Sequence, residues 1–199
     1  MSDRSGDEIH QIVQRVLNRY TGLSQQAADA ARNPGSPAQA TQPEEKPAGR
    51  KVIAIGADHG GFELKEILKP DLAAQGFEVI DVGTNSKEAV DYPDIAHDAA
   101  RLVGSGKAWR GIIIDGAGIG SCIVANKVAG VRAGMAYDYS SAVNSREHND
   151  TNVLTLGAGL IGVNLAKQIV KVWLSTDFGG GRHAGRVNKI SAVEKQYLK

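Results

Sequence analysis

"GIIIDGAGIGSCIVANK" (111–127) is the stretch on which the fold of this chain turns. A run of β-branched apolar residues stops at Asp115, glycines follow at 116, 118 and 120, and a small-residue segment opens a helix from about 119. An unbroken apolar run of this length reads as a strand buried on both faces. The alternating glycines permit backbone turns that bulkier residues resist, and they let a ligand approach closely. Amide N–H groups at a helix start can converge on an anion. The loop has two readings, an anion hole for a phosphate or an enediolate and a tight strand–helix turn packed on its neighbour. G-x-G-x-G by itself does not separate them.

Outward from this stretch, strands alternate with helices. "KVIAIGAD" (51–58), "FEVIDVG" (77–83), "VRAGMAY" (131–137) and "VLTLGAG" (153–159) read as further strands. Helices are predicted over "GFELKEILKPDLAAQG" (61–76, bent near Pro70), about 93–104, from about 119, about 140–147, 164–175 and from about 185. This alternation predicts a parallel five-stranded sheet covered on both faces, an α/β/α Rossmann-like domain over 51–199. Ligands of such sheets bind beyond the carboxyl ends of the strands. Those ends, "GADHGG", "DVGTN", "DGAGIGS", "AYDYSS" and "LGAGLIG", hold a concentration of glycine and polar residues.

Two other zones precede the domain. In residues 1–22, Ile9, Ile12, Val13, Val16, Leu17 and Tyr20 recur on one helical face, with Ser5 and Glu8 spaced as a capping box and Gly22 as a stop. His10 falls on the polar face of this amphipathic helix and is expected to be solvated. Residues 23–50 hold four of the six prolines, at 34, 37, 43 and 47, among small and polar residues. Such a segment cannot bury enough surface to offset its ordering entropy, so a flexible Pro/Ala-rich linker is predicted.

The bulk numbers bound the class. The 199 residues carry a net charge of +1, so no nucleic-acid partner is expected. Cys122 is the only cysteine, which excludes an internal disulfide and suits a reducing compartment. No apolar stretch approaches the roughly 20 residues that cross a bilayer, and the N-terminus lacks a secretion signal, so no membrane partner and a cytoplasmic location are expected.

Several side chains are candidates for chemistry. Asp58 and His59 end the first strand, where they can orient a sugar hydroxyl or move a proton; the plain alternative is a helix cap beside a surface histidine. His148 and Asn149 follow a helix, where a histidine can also simply cap carbonyls. Arg182 and Arg186, four apart, share a face if that segment is helical and can grip a phosphate. Cations sit poorly at a helix start, and an anion opposite them would relieve that conflict. His97 reads as a helix surface residue, and Trp109 and Trp173 as packing residues. No Cys/His cluster has metal-site spacing, so no metal and no cofactor are expected.

Taken together, "GADHGGFELK", "VDYPDIA", "GAGIGSCIVANKVAGVRA", "SREHNDTNVLTLGA" and "GGRHAGRV" resemble the ribose-5-phosphate isomerase B family, which includes the galactose-6-phosphate isomerase subunits. The resemblance covers about 51–199. It implies a homodimer, with a tetramer as a further assembly, whose active sites draw on both subunits. It also implies metal-free interconversion of an aldose phosphate and its ketose. Asp58, His59 and Tyr92 match sugar-binding and site-lining positions. Gly116, Ala117, Gly118, Ile119, Gly120 and Ser121 match the loop whose amides stabilise the enediolate. His148 matches the ring-opening acid/base, Asn149 a substrate-binding amide, and Arg182 and Arg186 phosphate ligands.

The chain departs from the family pattern at one place. Many members carry a cysteine base in "CGTG" where this chain has "DGAG", so Asp115 stands for the cysteine and Ala117 for the threonine. Another branch carries a glutamate at the position of Ser121. Asp115 is therefore expected to be the base. The N-terminal helix and tether resemble the encapsulation peptides of enzymes packaged in bacterial microcompartments, which implies a shell protein or other cargo as partner of residues 1–22. Other readings are an isomerase of another sugar phosphate (allose or galactose 6-phosphate), a non-catalytic sugar-phosphate or nucleotide-binding module, and a scaffold assembled through its helix.

Overall fold

The computed structural model describes residues 51–198; the expected N-terminal helix and linker lie outside the described residues. Five strands form one parallel sheet: β1 (Val52–Ala57), β2 (Glu78–Asp81), β3 (Arg110–Asp115), β4 (Ala133–Met135) and β5 (Val153–Gly157). Their spatial order is β2-β1-β3-β5-β4. Six helices cover it: α1 (Phe62–Ala74), α2 (Tyr92–Gly104), α3 (Ile119–Ala125), α4 (Tyr139–Glu147), α5 (Val163–Ser175) and α6 (Gly181–Tyr197).

Side-chain alternation builds the two faces. Ile53, Ile55, Ile112, Ile114, Leu154 and Leu156 point to one side, where Leu64, Leu68 and Leu72 of α1 and Ala166, Ile169, Val170 and Trp173 of α5 meet them. Ala54, Ile113 and Val153 point to the other, against Ala96, Ala99, Ala100 and Val103 of α2 and Ala125 of α3. The small residues on the second face let α2 lie close to the sheet. The helix spacing seen in the sequence, three and four residues apart, is the spacing of these buried stripes.

Several boundaries differ from expectation. β2 and β4 are shorter than 77–83 and 131–137, because both are edge strands with one neighbour each. α6 begins at Gly181 rather than near 185, so Arg182 and Arg186 both lie on it. α1 runs through Pro70 to Ala74. Lys65 of α1 is fully buried, and its ammonium reaches Asp81 Oδ2 at 2.5 Å and Glu66 Oε1 at 2.9 Å, pinning α1 to β2. Burial pushes the Asp81 carboxyl up, but the ammoniums of Lys65 and Lys69 and the Gly83 amide outweigh it and hold the group below the usual aspartate range.

The strand order places the site. From β1 the chain leaves through α1 to β2 on one side, whereas from β3 it leaves through α3 toward β4 and β5 on the other. The switch point is the cleft between the tips of β1 and β3, where loops diverge and leave room for a ligand. No helix among the described residues is long and apolar enough to cross a membrane.

Candidate active site

At the carboxyl end of the sheet, pairing of Ala57 with Ile114 and of Asp115 with Gly157 brings the strand tips side by side. Asp58 is 8% exposed; its N–H donates to the Ile114 carbonyl at 3.2 Å and its Oδ1 accepts from Gly61 N at 3.0 Å. Asp58 thus holds its own turn with one oxygen, while Oδ2 has no protein partner among the described residues. His59 Nδ1 accepts from the Val90 amide at 3.3 Å, so in the neutral ring the proton sits on Nε2. Tyr92, at the start of α2, lies over Gly120: a Cβ there would fall 2.5 Å from the tyrosine ring.

Asp115 is 5% exposed and closes the loop that follows it. Its Oδ1 accepts from Ala117 N at 2.8 Å and also from Gly118 N. Its Oδ2 accepts from Ser121 N at 3.1 Å and from Ser121 Oγ at 2.5 Å. Gly118 makes this wrap possible with φ at +78°, which a side chain would strain. The carbonyls are tied from outside: Gly159 N donates to Gly116 O at 3.0 Å, and Tyr137 Oη donates to Ala117 O at 2.8 Å. Burial and the nearby Asp115 push the Tyr137 phenol up, which keeps it a donor. The loop amides are therefore divided. Those of 117, 118 and 121 turn inward to Asp115, whereas those of Gly116, Ile119 and Gly120 have no partner among the described residues.

The other candidates collect elsewhere. α4 runs back across the sheet and ends at Glu147, and His148 N donates to Asn144 O at 3.0 Å. His148 Nδ1 lies 2.8 Å from Asn144 Nδ2, which can only donate, so this nitrogen accepts. Asn149 Nδ2 reaches Asn144 O at 3.3 Å. Gly179 N donates to Glu147 O at 2.9 Å and so brings the start of α6 beside His148. There His183 stacks on His148, with centroids 4.1 Å apart and planes 9° apart. Desolvation, His148, Arg182 and Arg186 hold His183 below the ordinary histidine range, against a smaller pull from Glu147. Arg182 and Arg186 are exposed.

Three arginines hold this region firm. Arg146 donates to Asp150 Oδ1 at 2.8 Å, to Thr151 O at 2.5 Å and to Thr176 O at 3.2 Å. Arg132 takes the other Asp150 oxygen at 2.7 Å, and Asp150 itself has φ at +47°. Arg110 donates to the carbonyls of Trp173, Leu174 and Thr176 at 2.7, 3.0 and 3.4 Å, which fixes the end of α5. Burial pushes Arg110 down to about 10, with Arg146 adding to the effect.

The two groups lie at opposite ends of the sheet. Gly111, where β3 begins, donates to Asn152 O at 2.9 Å, and Asn152 follows His148 by four residues. From there to Asp115 is about 13 Å of strand. Asp58, His59, Tyr92 and residues 115–121 thus gather as one group and His148, Asn149, Arg182 and Arg186 as another, and among the described residues the two groups do not meet in one crevice. Sequence reasoning missed Tyr137, His183, Asp150, Arg146 and Arg110. Of these, His183 had a signal in its place between Arg182 and Arg186, and Tyr137 in its place at the end of a strand.

Comparison with known proteins agrees with this architecture. The Ribose/Galactose Isomerase family matches residues 53–190. Ribose-5-phosphate isomerase B of Escherichia coli K12 is 48% identical over 146 residues, 73% of this chain and 98% of that protein. D-erythrulose-4-phosphate isomerase of Pectobacterium atrosepticum is 43% identical over 145 residues, 72% of this chain and 95% of that protein. The structure of Clostridium thermocellum ribose-5-phosphate isomerase B superposes with a TM-score of 0.72 at 50% identity, covering 73% of this chain and 99% of that one. The five-stranded parallel sheet, the divided glycine loop and these matches agree, and the chain belongs to the Ribose/Galactose Isomerase family.

Proposed function

We propose that the protein is a metal-free aldose–ketose isomerase that interconverts ribose 5-phosphate and ribulose 5-phosphate, with each active site completed by a second copy of the chain. The observation that carries this reading is the divided loop: one set of amides fixes a buried acid, and another set beside it has no partner among the described residues. Family membership and the names of the relatives support the substrate class.

In this reading His148 protonates and deprotonates the sugar during ring opening. Asp115 then takes the proton from carbon 2 as the C2–H bond breaks, and the electron pair becomes the C1–C2 double bond while charge moves to the oxygen on carbon 1. The outward amides of Gly116, Ile119 and Gly120 stabilise that oxyanion, a term of about 3–4 kcal/mol per donor. The hydroxyl proton on the carbon 2 oxygen passes to the carbon 1 oxygen, and Asp115 returns its proton to carbon 1. Asp58 and His59 orient hydroxyls and Tyr92 lines the cleft, while the second copy brings His148, Asn149 to orient a further hydroxyl, and Arg182 and Arg186 to hold the phosphate.

Mixing tests the sharing. At substrate well below the native KM, an Asp115→Asn variant and an Arg182→Ala/Arg186→Ala variant should each be nearly inactive, the first through kcat and the second through KM. Equimolar mixing with subunit exchange should restore about a quarter of native turnover, since half the dimers are mixed and each holds one intact site. No recovery in exchanged dimers defeats the shared site. A substrate panel of ribose 5-phosphate, D-erythrulose 4-phosphate, allose 6-phosphate and galactose 6-phosphate, ranked by kcat/KM, assigns the sugar. We further propose that residues 1–22 form a packaging helix on the 23–50 linker that takes the cytoplasmic enzyme into a microcompartment lumen, supported by the apolar stripe alone. A fluorescent fusion of residues 1–22 should gather at co-expressed shells, and a diffuse signal defeats it.

A further inference from the structure

Asp115 accepts four hydrogen bonds, as many as a carboxylate has lone-pair sites. A base held in this way has no free lone pair for a carbon-bound proton. One donor must let go, and the four are not alike. Three are backbone amides, fixed by a loop that Gly159 and Tyr137 grip from outside. The fourth is the Ser121 hydroxyl, which turns about a single bond. Ser121 is fully buried, and Asp115 is the sole acceptor its hydroxyl has among the described residues.

We propose that Ser121 is a positioning residue that selects Oδ2 of Asp115 as the proton-accepting oxygen and serves both states of that acid. This rests on the isomerase reading with Asp115 as base. Both donors on Oδ1 are amides, so that oxygen stays locked. On Oδ2, the hydroxyl donates while the acid is ionised. When the C2–H bond breaks and the proton binds Oδ2, the hydroxyl turns and accepts from the new O–H. When the proton leaves for carbon 1, it turns back. No amide can do this, because an amide N–H only donates. Ser121 therefore belongs to the acid as a partner, with both its amide and its hydroxyl committed inward, rather than to the sugar.

Three variants test this. Ser121→Ala should fold, keep KM within about twofold, lose about tenfold in kcat, and move the acidic limb of the kcat profile up by about one pH unit, because a donor to the ionised form is gone. Ser121→Thr, which keeps the hydroxyl, should restore the native limb. Asp115→Asn, run alongside, separates the two levels. Near-normal turnover of Asp115→Asn overturns the base reading and this inference with it. An inactive Asp115→Asn beside a Ser121→Ala enzyme with native kcat and native pH limb overturns the inference alone, as does a rise in KM with kcat unchanged.

Discussion

The two half-sites are built by opposite means. At the carboxyl end of the sheet, backbone does the holding: a loop of glycines wraps its amides around one buried acid. At the amino end, side chains do it: Arg110, Arg132 and Arg146 knot the ends of α4 and α5 into a platform, on which stand the half-buried, stacked His148 and His183 and the exposed Arg182 and Arg186. The first region fixes its groups tightly, because backbone cannot swing, which suits the base and oxyanion donors of the proposed reading. The second presents Arg182 and Arg186, which make no ion pair among the described residues, so it suits a dianion brought from outside. In the proposed reading, chemistry and charge recognition are separated by the length of the strands, and a second subunit would rejoin them.

The largest expected effect falls on the backbone-held side. Asp115→Asn keeps the side-chain size but loses the proton acceptor and sets an NH2 against donors that need an acceptor, so kcat should drop by about 10³-fold or more, as measured by turnover, with sugar-phosphate binding followed by calorimetric titration. His148→Gln, on the side-chain-held platform, should cost about 10²-fold in kcat, and less on substrate offered already ring-opened. Arg182→Ala and Arg186→Ala should each raise KM by about tenfold or more while changing kcat little, since each removes a charged hydrogen bond to a group that does not react. If these arginine variants instead lost kcat and kept KM, the division between chemistry and charge recognition would fail. Arg110→Leu should leave three carbonyls unpaired and lower unfolding stability by about 3 kcal/mol, read in denaturant melts, with activity following stability. The smallest effect lies away from both halves. Because Asp81 is held below its ordinary range when folded, its stabilisation is full above that range and is lost as pH falls through the depressed value. Asp81→Asn should therefore flatten the acid side of a stability profile.

Much of this was legible in the sequence. The apolar runs ending at Ala57, Asp115 and Gly157 announced strands, and the helical stripes announced two covered faces. The short β4 was over-read because Ala133, Gly134 and Met135 sit at an edge, where pairing on one side alone ends a strand early. The glycine alternation at 116, 118 and 120 was visible, but its meaning was not uniform: Gly118 needs a left-handed backbone, Gly120 needs room for Tyr92, and Gly116 meets nothing within 4 Å. Which amides turn inward depends on a side chain, Asp115, folding back on its own loop, and residue spacing carries no sign of that. His148 and the arginines were singled out from their position and spacing, and their roles came from family resemblance. Their place at the far end of the sheet follows from α4 running opposite to the strands.

The contact between Tyr92 and Gly120 has an evolutionary corollary. The phenol ring fills the volume that any alanine methyl at 120 would claim, so the two positions are one steric unit contributed by separate helices. Any lineage that gains a side chain at 120 must therefore change Tyr92 with it, or carry an aromatic wall pushed off the loop.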